Sequence, residues 1–124
     1  MMDSCAWQVL LDKKHATSGL LAAFLHDKEP LPTVGQHSTV CDGQGRPIAI
    51  IETIQVEIRK YSAVDEAYAA VEGEGDGSLR EWQALHWDYL NDECKRVGYP
   101  MSCDVELVLE TFRLVERLIA VEDF

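Results

Sequence analysis

The stretch HSTVCDGQGRPIAIIETIQVEIRKY, residues 37 to 61, constrains the fold more than any other part of this chain. Two runs rich in Val, Ile and Thr flank DGQGRP, whose Asp-Gly and second glycine favour a tight reversal. The segment therefore reads as a β-hairpin with strands near 36–41 and 47–60. Ile54, Val56 and Ile58 alternate with Gln55, Glu57 and Arg59, which places one face in a core and the other in water. Any fold for this chain must build a half-buried antiparallel sheet around these strands.

Elsewhere the pattern is mostly that of short helices. Residues 3 to about 12 bring Ala6, Val9 and Leu10 to one face behind Asp3 or Ser4 as a cap. SGLLAAFLH, residues 18 to 26, predicts a second helix beginning at Ser18, which the prolines at 30 and 32 bring to an end. SAVDEAYAAVEG opens with the capping pair Ser62 and Asp65 and runs into the helix-ending glycines 73 and 75. Ser78 and Glu81 repeat the device and open a longer helix to about residue 97. In the final VELVLETFRLVERLIAV, Val105, Leu107 and Leu109 alternate and the phase changes near Thr111 and Phe112, as in a bulged strand. Its length also allows a helix; the β-branched content and the turn-like YPMSCD before it favour a strand.

A chain of 124 residues fits a single domain, expected here over residues 1–124. Its 22 acidic residues against 11 basic ones give a formal charge of -11. Such a surface repels polyanions and lacks the counterion-release affinity of nonspecific nucleic-acid binders, so any nucleic-acid role must be local. One small basic spot survives at Lys13, Lys14 and His15. The cysteines at 5, 41, 94 and 103 have no metal-ligand spacing and the histidines add none, so no metal and no cofactor are expected. No apolar run is long enough to span a bilayer, and the start MMDSCAWQVLLDKKH lacks the apolar region of a signal peptide. These features predict a soluble, cytoplasmic protein with reduced thiols.

The least generic stretch is EGEGDGSLREWQALHWDYL, residues 72 to 90. Glycines around Glu74 allow Glu72, Glu74 and Asp76 to be presented around a tight turn that feeds a helix N-terminus. Favourable interaction with the helix dipole, about 0.3 to 1 kcal/mol each, is one sufficient reason for them. An acidic run of this kind also commonly forms a solvated face. Leu79, Trp82, His86 and Tyr89 recur at three- and four-residue spacing and form a stripe, most of it expected in the core, with His86 as a hydrogen-bonded structural histidine. Trp87, about 100 degrees round the helix from His86, falls at the edge of that stripe.

This stretch closely resembles the EGEGD-x-SL-x-x-W-x-x-x-H segment of ASCH-domain proteins, members of the PUA-like superfamily. Other features follow in the same order: LLDKKHAT resembles that family's apolar-Gly-x-Lys-Thr-Ala-Thr loop, PLPTVGQHSTVCDGQGRPIAIIETIQVEI its hairpin, and VELVLETFRLV its closing strand. The resemblance implies an α+β fold, a PUA-like curved β-barrel surrounded by short helices, with a cleft between the lysine-bearing loop and the barrel. Asp12 stands where the family has glycine and His15 where it has the first threonine, which stiffens the loop and adds a bulky ring. The family also carries more residues before this loop, so a partner subunit is expected to help cover the core, as in a homodimer.

PUA-like relatives commonly bind RNA, and the expectation is a domain that binds RNA or a nucleotide-like ligand. The cleft would be formed by Lys13, Lys14, His15, Thr17, Glu52, Glu72, Glu74 and Asp76, with Trp87 able to stack on a base. Some small relatives are amidohydrolases acting on acetylated cytosine nucleosides through a lysine, a threonine and a glutamate. By resemblance those roles fall on Lys14, Thr17 and Glu52. In that alternative the lysine activates the threonine hydroxyl, the glutamate holds or relays the proton, and backbone amides near Ser18 receive the oxyanion if a helix starts there. A protein-interaction module is the third possibility.

Overall fold

The computed structural model describes residues 4–73 and 77–120. The predicted hairpin is present: β2, His37–Cys41, pairs antiparallel with β3, Pro47–Lys60. The closing segment is a strand, β4, Glu106–Arg117, which pairs antiparallel with β3 along most of its length. An additional strand, β1, Ala16–Leu20, completes a curled four-stranded antiparallel sheet in the order β1-β4-β3-β2.

β1 corrects the expectation of a helix from Ser18. The apolar run SGLLAAFLH divides into strand up to Leu20 and the six-residue helix α2, Leu21–His26. Pairing with β4, from Ala16 opposite Thr111 to Leu20 opposite Leu107, satisfies the strand backbone and overrides local helical preference. The other helices are α1, Ser4–Leu10; α3, Glu66–Glu72; and α4, Leu79–Val97. Ser78 caps α4 as predicted, its side chain accepting from the Glu81 amide. The cap of α3 is Asp65, which accepts from the Tyr68 amide; Ser62 instead lies in a 3-10 turn, Tyr61–Ala63.

The sheet separates two apolar cores. Alternation along β4 turns Leu107 and Leu109 toward a core built with Leu20, Trp82 and Leu90, and turns Phe112 toward a second core with Leu10 and Ile48. The register shifts twice between β3 and β4. Ile54 is the extra residue between Thr53, opposite Phe112, and Gln55, opposite Thr111; Val115 is the extra residue between Leu114 and Glu116. The predicted phase change near Thr111 is thus a bulge carried by the partner strand β3. Among the described residues no buried side-chain nitrogen or oxygen lacks a hydrogen-bond partner. No described helix is long and apolar enough to cross a membrane.

Candidate functional site

α3 ends at Gly73, whose φ of 75° closes the helix in the left-handed region. Glu72, its last helical residue, is turned inward and is only 1% exposed. A buried carboxylate needs donors, and three segments supply them. Ser18 Oγ of β1 donates to Oε1 at 2.7 Å. Trp82 Nε1 of α4 donates to the same oxygen at 2.8 Å. His86 Nε2 lies 2.8 Å from Oε2, and Lys14 Nζ donates to that oxygen at 3.4 Å. The expectation that the acidic run is a solvated face fails at Glu72, because these partners offset its desolvation.

Burial works to raise the pKa of Glu72. The hydrogen bond from His86, the charges of Lys14 and His86 and the hydrogen bond from Trp82 outweigh that effect and lower it to about 2. The Trp82 and His86 rings stack with centroids 4.3 Å apart, and His86 Nδ1 lies 2.9 Å from the Trp82 carbonyl oxygen. Both imidazole nitrogens thus face oxygen acceptors, a pattern met at both ends by the protonated ring.

Backbone contacts explain why Lys14 points inward. The amides of Lys13 and Lys14 donate to the Gln8 carbonyl, and the His15 amide donates to the Val71 carbonyl of α3 at 3.0 Å. Asp12 takes the turn with φ of 61°, a left-handed conformation that suits a glycine and that aspartate tolerates. Lys14 is 5% exposed while Lys13 is at the surface. His15 is half-buried, its Nε2 2.8 Å from the Asp12 carbonyl oxygen.

A cavity of about 250 Å³ adjoins this cluster. Thr17, Gly19 and Glu110 line it from the sheet face opposite Leu109, and Ser18 lines it from the strand edge. Ser18 therefore belongs to both the cavity wall and the Glu72 network. Phe24 and Tyr89 contribute aromatic surface, and Asp27, Glu29 and Glu93 make the cavity acidic. Arg96 holds Asp27 through two hydrogen bonds, at 2.8 and 2.9 Å, and also bonds Glu93. Glu110 accepts from Thr53 Oγ1 at 2.5 Å. Tyr68 Oη donates to the Thr17 carbonyl at 2.8 Å and lies 3.1 Å from Ser18 Oγ. Burial, and then the charge of Glu72, push its phenol pKa far above the ordinary value, so it is a donor here.

The structure brings Lys14, Thr17 and Glu72 of the expected residues to one locality, with Lys13 and His15 on the adjoining loop. Glu52 is elsewhere: it lies opposite Arg113 in the sheet and accepts from Arg113 Nε at 2.7 Å. The carboxylate beside Lys14 is that of Glu72. Trp87 packs edge-on against Tyr61, with ring centroids 5.5 Å apart, and does not line this cavity. Glu74 and Asp76 lie outside the described residues. The Ser18 amide belongs to a strand paired with β4, so no helix N-terminus offers an oxyanion site there. Ser18 and Tyr68 carry side-chain contacts that the sequence did not disclose. Among the described residues no group of three or more His, Cys, Asp or Glu side chains could hold a metal ion.

Residues 1–116 match the family model described as the ASCH domain. The crystal structure of an ASCH domain from Lactobacillus crispatus is similar at 38% identity, with a TM-score of 0.85, over 90% of this chain and 70% of that one. The crystal structure of protein EF3133 from Enterococcus faecalis is similar at 30% identity, with a TM-score of 0.86, over 98% of this chain and 73% of that one. No curated protein matches this chain.

Proposed function

Because this chain belongs to the ASCH-domain family, we propose that it binds a nucleoside-like ligand, free or as an unstacked base of RNA, in the cavity at Thr17 and Ser18. The observation that carries this reading is the double role of Ser18, which lines the cavity and donates to the buried Glu72. A carboxylate tied to four side chains keeps that part of the wall fixed, and a preformed wall lowers the ordering cost of binding. Phe24 and Tyr89 offer faces on which a base can stack, and the acidic side chains can accept from an exocyclic amine. The same acids repel phosphate, so the cavity suits a base, and any phosphate of an RNA would meet Lys13 on the exposed loop.

The test is a titration with labelled single-stranded RNA at several salt concentrations, using free cytidine as competitor. The expected result is binding that cytidine displaces and that depends weakly on salt, since few phosphates are neutralised. Steep salt dependence without displacement by cytidine, or no binding of either compound, would overturn it.

Hydrolysis of an acetylated cytosine nucleoside would also use this locality, with Lys14 and the Ser18 hydroxyl both on the Glu72 carboxylate. A carboxylate whose pKa has fallen to about 2 is a weak general base, which favours binding without turnover. N4-acetylcytidine incubated with the protein is accordingly expected to remain intact. Release of cytidine by the native chain and not by Lys14→Ala would establish the amidohydrolase instead.

A further inference from the structure

A second cavity, of about 240 Å³, lies on the other face of the sheet, between α3 and the strands β3 and β4. Its apolar wall comes from Val71, Tyr68 and Leu109, and its polar wall from Gln55 and Thr111. Gln55 and Thr111 are direct partners in the β3–β4 register, so their side chains stand next to each other on one face. The bulge at Ile54 is responsible. In an unbroken register with Thr53 opposite Phe112, the residue opposite Thr111 would be Ile54; the extra residue puts the Gln55 amide there and leaves Ile54 48% exposed. Bulges interrupt a ladder and re-aim side chains, and are common beside functional sites.

Neither Gln55 nor Thr111 donates or accepts a side-chain hydrogen bond with another described residue. At the end of the groove Arg59 is already held by Glu57 and Asp65, so its charge is neutralised and does not draw a phosphate. What remains is an uncharged amide beside a hydroxyl, in a groove whose apolar wall is Tyr68, Val71 and Leu109. An amide side chain pairs with a donor and an adjacent acceptor on one edge of a planar ring, as glutamine does with a base. We propose that this groove is a second ligand site, which takes the edge of a nucleobase through Gln55 and Thr111 while Tyr68, Val71 and Leu109 cover its face. This groove shares no lining residue with the cavity at Thr17 and Ser18, although the Tyr68 hydroxyl contacts both of those residues.

The test is a titration of the isotopically labelled protein with adenosine, cytidine, guanosine and uridine, following the Gln55 side-chain amide and the Thr111 backbone amide by NMR. At least one nucleoside is expected to shift both signals saturably. Gln55→Leu, at an exposed position, is expected to weaken the shift at Thr111 by about tenfold or more, while Tyr89→Ala, at an exposed position that lines only the first cavity, leaves it unchanged. No shift at Gln55 or Thr111 with any of the four, or undiminished binding at Thr111 in Gln55→Leu, would overturn the proposal. Equal loss in Tyr89→Ala would also overturn it, by showing that the groove is not a separate site.

Discussion

Gly73 sits so close to Lys13 that a Cβ on it would lie 2.4 Å from the Lys13 carbonyl oxygen. This contact, with the hydrogen bond from the His15 amide to the Val71 carbonyl, seats the end of α3 on the lysine-bearing loop. Gly73→Ala must accept both a left-handed backbone, at about 1 to 3 kcal/mol, and a clash with main chain. The expected outcome is a lowered urea midpoint together with displaced amide signals at Lys13 and Lys14. A variant as stable as the native chain would show that the loop does not need this contact.

The ionised state of Glu72 makes stability depend on pH. Its folded pKa of about 2 lies below the ordinary 4.5, so the unfolded chain binds the proton more tightly and stability rises with pH. The contribution, on the order of 3 kcal/mol, is fully present above about 4.5 and is lost as pH falls through about 2. Glu72→Gln should remove this part of the acid limb. It should also cost about 3 to 5 kcal/mol near neutrality, because Lys14 and His86 lose their counter-charge. Urea midpoints across the acid range check both; parallel acid limbs for the two proteins would contradict the assignment.

Trp82→Phe keeps an aromatic ring in the core but deletes the Nε1–H that donates to Glu72. Loss of a hydrogen bond to a charged group costs about 1.5 to 3 kcal/mol. The same change should move the acid limb to higher pH, since that donor helps lower the pKa of Glu72. Destabilisation without that movement would mean that Trp82 contributes by packing alone.

Much of the sheet was legible because hairpin chemistry and alternation are local. DGQGRP, the β-branched run of β3 and the alternation of β4 each carry their own signal. Ser78 and Gly73 were legible for the same reason, as helix ends. β1 was not, because SGLLAAFLH has no period of its own and is made a strand up to Leu20 by β4, some ninety positions away in sequence. The burial of Glu72 was hidden in a similar way. An acidic residue next to glycines looks solvent-facing until Lys14, Ser18, Trp82 and His86 converge on it, and that convergence exists only in the folded chain. Glu52 carries the matching residue type on a strand, but its position in the register hands it to Arg113.

Asp12 tests the loop directly. Its φ of 61° is open to glycine at no steric cost, whereas aspartate accepts some strain. Asp12→Gly should relieve that strain and lose chain entropy in comparable amounts, leaving stability within about 0.5 kcal/mol. Asp12→Val, β-branched in a left-handed position, should cost more than about 1 kcal/mol. Thermal unfolding of the pair decides it, and equal stability of the two would mean that the turn relaxes.

The most direct test of the binding account is a crystal structure of the protein soaked with cytidine. The base is expected between Phe24 and Tyr89, with an edge on Thr17 or Ser18. Density confined to other surfaces, or none at saturating ligand, would contradict the account.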